Sequence, residues 1–377
     1  MSAGTTSATP VAAAGDGASA AEGRDRYLDL LRALALLRVT VFHVFGWAWL
    51  TVLFPSMGVM FALAGSLTAR SLGRPGGTPR TVIGSRLRRL LPPLWAFSAV
   101  MLGLLFLGFD WRPQGAGGAA AVLTYLLPVG APPYPESSGF PSGVLETTWA
   151  ADGAGPLWYL RAYLWFVVAS PLLLRLYRRA PWPTLLAPLA LTGVFGTGLV
   201  MVPGETGEVV KDFCVYGSCW LLGFAHQDGA TARLPRYVSV SCATALMGLA
   251  LWWASAHQGE QRWNLDDVPP AQALWSFGFV AVLLVYAPAW RELPGRWRRW
   301  DGLVTLANNR AVTVYLWHNL LIALTFPVLA AAGVGGTATQ PAAFLLLWPM
   351  LAPVVLVLGP LEDLAAGRRV RMWPTRR

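Results

Sequence analysis

The sequence predicts an all-α fold: a polytopic integral membrane helical bundle of about ten transmembrane helices, with the N and C termini cytoplasmic. Three observations predict it. First, 55% of the 377 residues are hydrophobic and only 13% charged, against roughly 25% charged in a soluble domain, so most of the surface must face something other than water. Second, apolar stretches recur that approach the about 20 residues a helix needs to cross a bilayer. Third, the segments between those stretches alternate between Arg-rich and acidic or nearly neutral, the pattern produced when Lys and Arg are retained in cytoplasmic loops.

Cutting the apolar runs at charged or Pro/Gly-rich breaks gives spans at 28–50, 55–72, 91–109, 156–176, 183–203, 209–226, 236–256, 271–290, 303–329 and 341–361. Arg24 and Arg26 precede the first; Arg70, Arg74, Arg80, Arg86, Arg88 and Arg89 separate the second from the third; Arg175, Arg178 and Arg179 follow the fourth. Arg233 and Arg236 follow the sixth, Arg291, Arg296, Arg298 and Arg299 the eighth, and Arg368, Arg369, Arg371, Arg376 and Arg377 end the chain. All fall on one side, which the positive-inside rule makes cytoplasmic. The other loops carry Glu136, Glu146, Asp152, Glu205, Glu208, Glu260, Asp266 and Asp267. In the long outer loop, 119–129 is apolar but too short to span, which suits an interfacial or re-entrant segment that could roof a site.

Residues 1–23, rich in Ala, Gly, Ser and Thr, lack the basic n-region and apolar core of a signal peptide and read as a disordered cytoplasmic tail. Residues 24–365 read as one transmembrane domain and 366–377 as a basic cytoplasmic tail. The net charge of +10 does not indicate nucleic-acid binding, because the Arg residues form short clusters between apolar stretches and not a face. Most of the 19 Trp residues lie near span ends, where amphipathic rings favour the interface. Cys214, Cys219 and Cys242 have neither CxxC spacing nor a nearby His pair, so no metal site or disulfide framework is expected.

Ionisable residues inside a bilayer are costly enough to be functional candidates. The first span holds Asp29, Arg32, Arg38 and His43; Arg32 and His43 are 11 residues apart, which brings them within about 20° of the same helix face and about 16 Å apart in rise. They are expected to look into one cavity at different depths. A neutral imidazole can take a hydroxyl proton near pH 7, and a cation nearer the cytoplasm can hold a donor's phosphates. The competing reading makes Asp29 and Arg32 an i,i+3 pair and His43 a helix-bridging side chain. Arg86-x-x-Arg89 offers bidentate phosphate recognition, or is ordinary positive-inside flanking.

Arg32-x10-His43, in the run Tyr27 plus "LDLLRALALLRVTVFH", resembles the Arg-x10-His motif and first helix of the acyltransferase-3 family. "PSMGVMFALAGSLTAR" is similar to that family's second helix, with Ala64, Gly65 and Ser66 in place of the commoner Ser-Gly pair. Arg86 and Arg89, followed by "LLPPLW", resemble its Arg-x-x-Arg motif. "GPLWYLRAYLWF" and "NNRAVTVYLWHN" look like its central helix start and its late Tyr-x-x-His helix.

The resemblance covers residues 26–361 and implies transfer of an acyl group, commonly acetyl, from a cytoplasmic acyl-CoA donor to a hydroxyl of a carbohydrate, cell-envelope glycan or secondary metabolite, in the bacterial cytoplasmic membrane. It assigns His43 and Arg32 to catalysis and Arg86, Arg89 and Arg38 to the donor. Trp158 and Arg161, near the outer face, and Tyr315 and His318 become acceptor-side candidates; His43 and His318 each stand about 15 residues from the cytoplasmic starts of their predicted spans, so the two can meet. His226 and His257 read as loop residues. No G-x-S-x-G motif argues for a serine nucleophile. The rival readings are a transporter or flippase of an anionic envelope precursor, whose buried Arg and His would bind solute or relay protons, and a non-catalytic envelope-assembly partner.

Overall fold

The computed structural model describes residues 25–108, 111–113, 118–135 and 149–372. The predicted tail 1–23, Arg24, Glu136, Glu146, Arg376 and Arg377 lie outside the described residues. Among the described residues the chain is helical, with no strand.

Helix α1 (Arg26–Phe45) begins where the Asp25 carboxylate accepts the Tyr27 N–H and ends at Gly46, φ 64°. Glycine takes this left-handed conformation without a Cβ penalty and so terminates a helix cleanly. The first span is therefore shorter than predicted, and α2 (Leu50–Leu53) leads into α3 (Ser56–Gly73). α4 (Pro79–Gly103) starts at a capping box between Thr78 and Thr81 and runs into a π-helical turn at Leu104–Gly108.

The apolar outer-loop segment folds as α5 (Gly118–Ala121) and a 3-10 turn at Val122–Tyr125. It is anchored on α4, with Ser98 Oγ and Trp95 Nε1 donating to the Tyr125 and Leu126 carbonyls. The remaining helices are α6 (Trp149–Ala154), α7 (Leu157–Arg179), α8 (Pro181–Gly196), α9 (Gly204–Gln227), α10 (Arg236–Ala256), α11 (Pro269–Val285), α12 (Asp301–Asn309), α13 (Ala311–Ala331), α14 (Thr339–Leu358) and α15 (Pro360–Ala365). His226 closes the last turn of α9 and is not a loop residue.

Each predicted interval contains a helix, and six helical stretches are long and apolar enough to cross a membrane: Leu50–Gly73, Pro79–Leu107, Trp149–Arg179, Arg236–Ala256, Ala311–Ala331 and Gly336–Leu358. The other four intervals differ for visible reasons. α1 carries Arg26, Asp29, Arg32 and Arg38, and α9 carries Glu205, Glu208, Lys211 and Asp212; α8 and α11 have 16 and 17 residues. The ninth interval is broken at Arg310, whose fully buried side chain leaves the helix path between α12 and α13 and meets Asp363 at 2.8 Å.

The core forms where α3, α7 and α9 meet. The Phe61 ring lies 4.9 Å from Tyr159, 5.2 Å from Phe166 and 4.9 Å from Tyr216, centroid to centroid. Small residues allow this approach, as they do between membrane helices generally. A Cβ on Gly65 would sit 2.2 Å from the Trp220 carbonyl oxygen, and one on Gly223 would sit 2.1 Å from that of Ala62. Gly65→Val or Gly223→Val would force these backbones apart, and overpacking costs about 1–3 kcal/mol or more. Each variant is expected to melt several degrees below wild type in detergent, whereas Gly84→Ala, whose added Cβ meets nothing within 4 Å and which gains helix propensity, is expected to melt no lower than wild type.

Candidate active site

A buried polar ladder sets how α1 lies against α12 and α13. Arg26 donates from Nη1 to Asp29 at 2.9 Å, from Nε to Asp301 at 3.0 Å and from Nη2 to Thr305 Oγ1 at 3.1 Å. One turn on, Asn308 Nδ2 donates to the Asp29 carbonyl at 2.8 Å, and Arg32 donates to Asn308 Oδ1 at 2.9 Å. The two strands of helix then run side by side in the same direction. His43 lies 43 − 26 = 17 positions beyond Arg26, and His318 lies 318 − 301 = 17 positions beyond Asp301. Their rings meet at 5.3 Å between centroids. The matching distance holds from Asp301; from the start of α13 His318 is only seven positions in.

The two imidazoles have different surroundings. His318 is fully buried, with Nδ1 2.6 Å from the Tyr315 carbonyl. Nδ1 must therefore carry the proton in that contact, leaving Nε2 as a buried acceptor with no partner among the described residues. His43 lines a cavity of about 650 Å³ with Trp149, Asp152 and Asn319. It makes no hydrogen bond to a neighbouring helix among the described residues, which leaves it open to a ligand and disfavours a purely bridging role.

At the other end of this layer is a cavity of about 330 Å³ lined by Arg32, Arg86, Arg89 and Arg368, together with Tyr159, Tyr163, Asn308 and Tyr315. Arg86 is held by the Leu67 carbonyl at 3.1 Å and Ser71 Oγ at 3.3 Å. Arg368 is held by Asp363 at 3.1 Å, while Arg89 has no hydrogen-bond or ion-pair partner among the described residues. Arg70, Arg74, Arg80 and Arg88 do not line it, so the Arg-x-x-Arg pair is set apart from the flanking charges of its loop. The carboxylate in this lining, Glu362, is engaged by the Thr313 N–H and hydroxyl. Four guanidinium groups facing one cavity favour a polyanion.

Several expected groupings change. Arg32 and His43 line two cavities and not one: Tyr315 lines the arginine cavity, and its ring is 5.5 Å from that of His318, so the Tyr315–His318 layer separates them. Arg38 is not with the other arginines. Its Nε donates to the Leu50 carbonyl at 3.2 Å and its guanidinium sits 4.9 Å over the Phe42 ring.

Trp158 and Arg161 lie outside both cavities, in a third one with Asp212 and Asp266. Arg161 is buried and paired with Asp212 at 2.9 Å and Glu205 at 3.6 Å, so it neither snorkels nor faces His43. Asp266 titrates above the usual carboxylate value because the cavity wall desolvates it, with the Arg38 charge opposing the rise.

Arg368, Asn308, Asp152 and Asn319 were not legible as site residues. Arg368 carries the same local signal as any cytoplasmic flanking Arg, and only the fold of α15 against α4 brings it to Arg86 and Arg89. Because removing one member of a buried pair strands the other, Asp301→Ala is expected to cost about 3–5 kcal/mol. The double variant Arg26→Met/Asp301→Leu is expected to recover most of that loss in detergent melts.

The family model described as Acyltransferase domain matches residues 25–359. No curated protein and no solved structure matches the chain. The match takes in α1, the Arg86–Arg89 pair and both histidines, and this helical membrane protein belongs to the acyltransferase-3 family.

Proposed function

We propose that the protein moves an acyl group, acetyl in the simplest case, from a cytoplasmic acyl-CoA to a hydroxyl of a carbohydrate, cell-envelope glycan or secondary metabolite. The observation that carries this reading is a pair of cavities, one walled by Arg32, Arg86, Arg89 and Arg368 and reaching Tyr315, the other lined by His43. The alternation of arginine along the sequence supports ten crossings of the bacterial cytoplasmic membrane with both termini inside, so that Arg32, Arg86 and Arg89 face the cytoplasm where the donor is made. Short or charged helices such as α1, α8, α9 and α11 then cross because neighbouring helices, not lipid, surround their polar residues.

In this reading the donor's phosphates rest on Arg86, Arg89 and Arg32, and its flexible arm carries the thioester past Tyr315 towards His43. The neutral His43 imidazole takes the proton of the acceptor hydroxyl as its oxygen attacks the thioester carbonyl. The carbon–sulfur bond then breaks, and the departing thiolate takes the proton back from His43. An ester and free CoA thiol result, with no metal and no redox partner in the balance. His318 acts as a positioning residue behind His43. General-base catalysis of this kind contributes about 10²–10⁴-fold.

Purified membranes carrying wild type are expected to move label from acetyl-CoA into an alkali-labile product of an envelope extract. His43→Ala is expected to lower that rate by about 10²-fold or more, with no label retained on the protein in either case; undiminished transfer by the variant would exclude His43 as the base, and label trapped on wild-type protein would replace the base role with an acyl-histidine. Arg86→Gln and Arg89→Gln are each expected to raise the KM for the donor about tenfold, the scale of one charge-assisted hydrogen bond, with a smaller effect on kcat.

A further inference from the structure

The third cavity, about 400 Å³, lies between the start of α7, the first turns of α9 and the loop that leads into α11. One wall is aromatic: Trp158 stacks on Tyr216 with centroids 5.7 Å apart and planes 29° from parallel, which engages one face of the indole. The rest is polar, and its polar groups are unevenly satisfied. Gln272 is buried, and its Oε1 has no hydrogen-bond partner among the described residues. Arg161 Nε is likewise buried and without a partner among them. Buried polar atoms are nearly always hydrogen-bonded, so two orphans in one cavity wall point to a ligand that supplies hydroxyl groups.

The charges select among such ligands. Of the bases in the lining, Arg161 pairs with Asp212 and Lys211 with Glu208. Asp266 feels the Arg38 charge from α1. The Asp267 carboxylate, which also lines the cavity, has no hydrogen-bond or ion-pair partner among the described residues and leaves the site with surplus negative charge.

We infer that this cavity, apart from the one His43 lines, holds an amino-sugar ring, with the ring's apolar face on Trp158, its ammonium against Asp267 and its hydroxyls on Gln272 Oε1. The inference rests on the acyl-transfer reading for its biological sense but not for its physical content. Aromatic faces carry negative potential and suit both the sugar's C–H face and a nearby cation. A uronate or sugar phosphate would meet Asp267 with like charge and be rejected, which is specificity by repulsion.

Saturation-transfer NMR on the full chain in detergent, without any donor, tests this with methyl glucosaminide, methyl glucoside and methyl glucuronide as probes. Wild type is expected to bind the glucosaminide about tenfold better than the glucoside, and the glucuronide least. Asp267→Asn is expected to bring the first two to parity, and Trp158→Ala to abolish ring-proton transfer; Trp158→Phe, which keeps an aromatic face, is expected to retain it and shows that the fold persists. Equal binding of glucosaminide and glucuronide, or binding indifferent to Asp267→Asn and Trp158→Ala, would overturn the inference. His43→Ala is expected to bind the glucosaminide as wild type does, so undiminished transfer by that variant with binding intact tells against the catalytic reading alone, and transfer by wild type without amino-sugar binding tells against this inference alone.

Discussion

The buried contact of Arg26 with Asp29 and Asp301 decides where every other part of the site stands. A guanidinium taken out of water in this way is tolerated only if its N–H groups are met, and here Asp29, Asp301 and Thr305 meet them within 3.1 Å. Satisfying Arg26 leaves α1 no freedom to slide along α12 and α13. The histidines, 17 positions further on in each strand, then have to coincide. A slip of one residue would rotate His43 by about 100° and lift it by 1.5 Å, out of register with His318.

The charges that make α1 and α9 poor membrane spans are the ones that organise the interior. Arg32 of α1 walls the arginine-lined cavity, Arg38 meets the Leu50 carbonyl and the Phe42 ring, and Asp212 of α9 neutralises Arg161. Each is shielded by other helices. The more apolar α10 and α14, by contrast, leave most of their side chains on the outside of the bundle and bring few polar groups to the cavities. The interior is also divided by sign: arginines on one side of the Tyr315–His318 layer, surplus carboxylate in the cavity beside Trp158.

Much of the site was legible one helix at a time. Arg32 and His43 share a face because 11 residues is close to three turns, and Tyr315 and His318 share one at i,i+3; the structure keeps both relations. Judgements that needed two helices fared unevenly. Arg38 was grouped with Arg86 and Arg89, yet six residues rotate it away from Arg32, and the Leu50 carbonyl and Phe42 ring engage it. Trp158 and Arg161 were expected at the His43 site but belong to a separate cavity. The break at Arg310 was missed because the apolar run continues on both sides of it, although Asn308 and Asn309 are poor helix formers; the buried Arg310 meets Asp363, 53 positions away.

The sequence by itself determined that this protein is a helical membrane bundle of the acyltransferase-3 family, where its long helices lie, and which polar residues share a helix face. Those properties follow from local composition and from the 3.6-residue period, both of which act within a few turns. The tertiary structure alone decided that α12 and α13 part at Arg310, that Arg368 joins Arg86 and Arg89, that Arg32 and His43 open onto different cavities, and that Asp267, Gln272 and Trp158 form a third. Each of these depends on contacts such as Arg26 to Asp301, 275 positions apart, whose pairing is set by the need to satisfy a buried charge and has no signature in the sequence on either side of it.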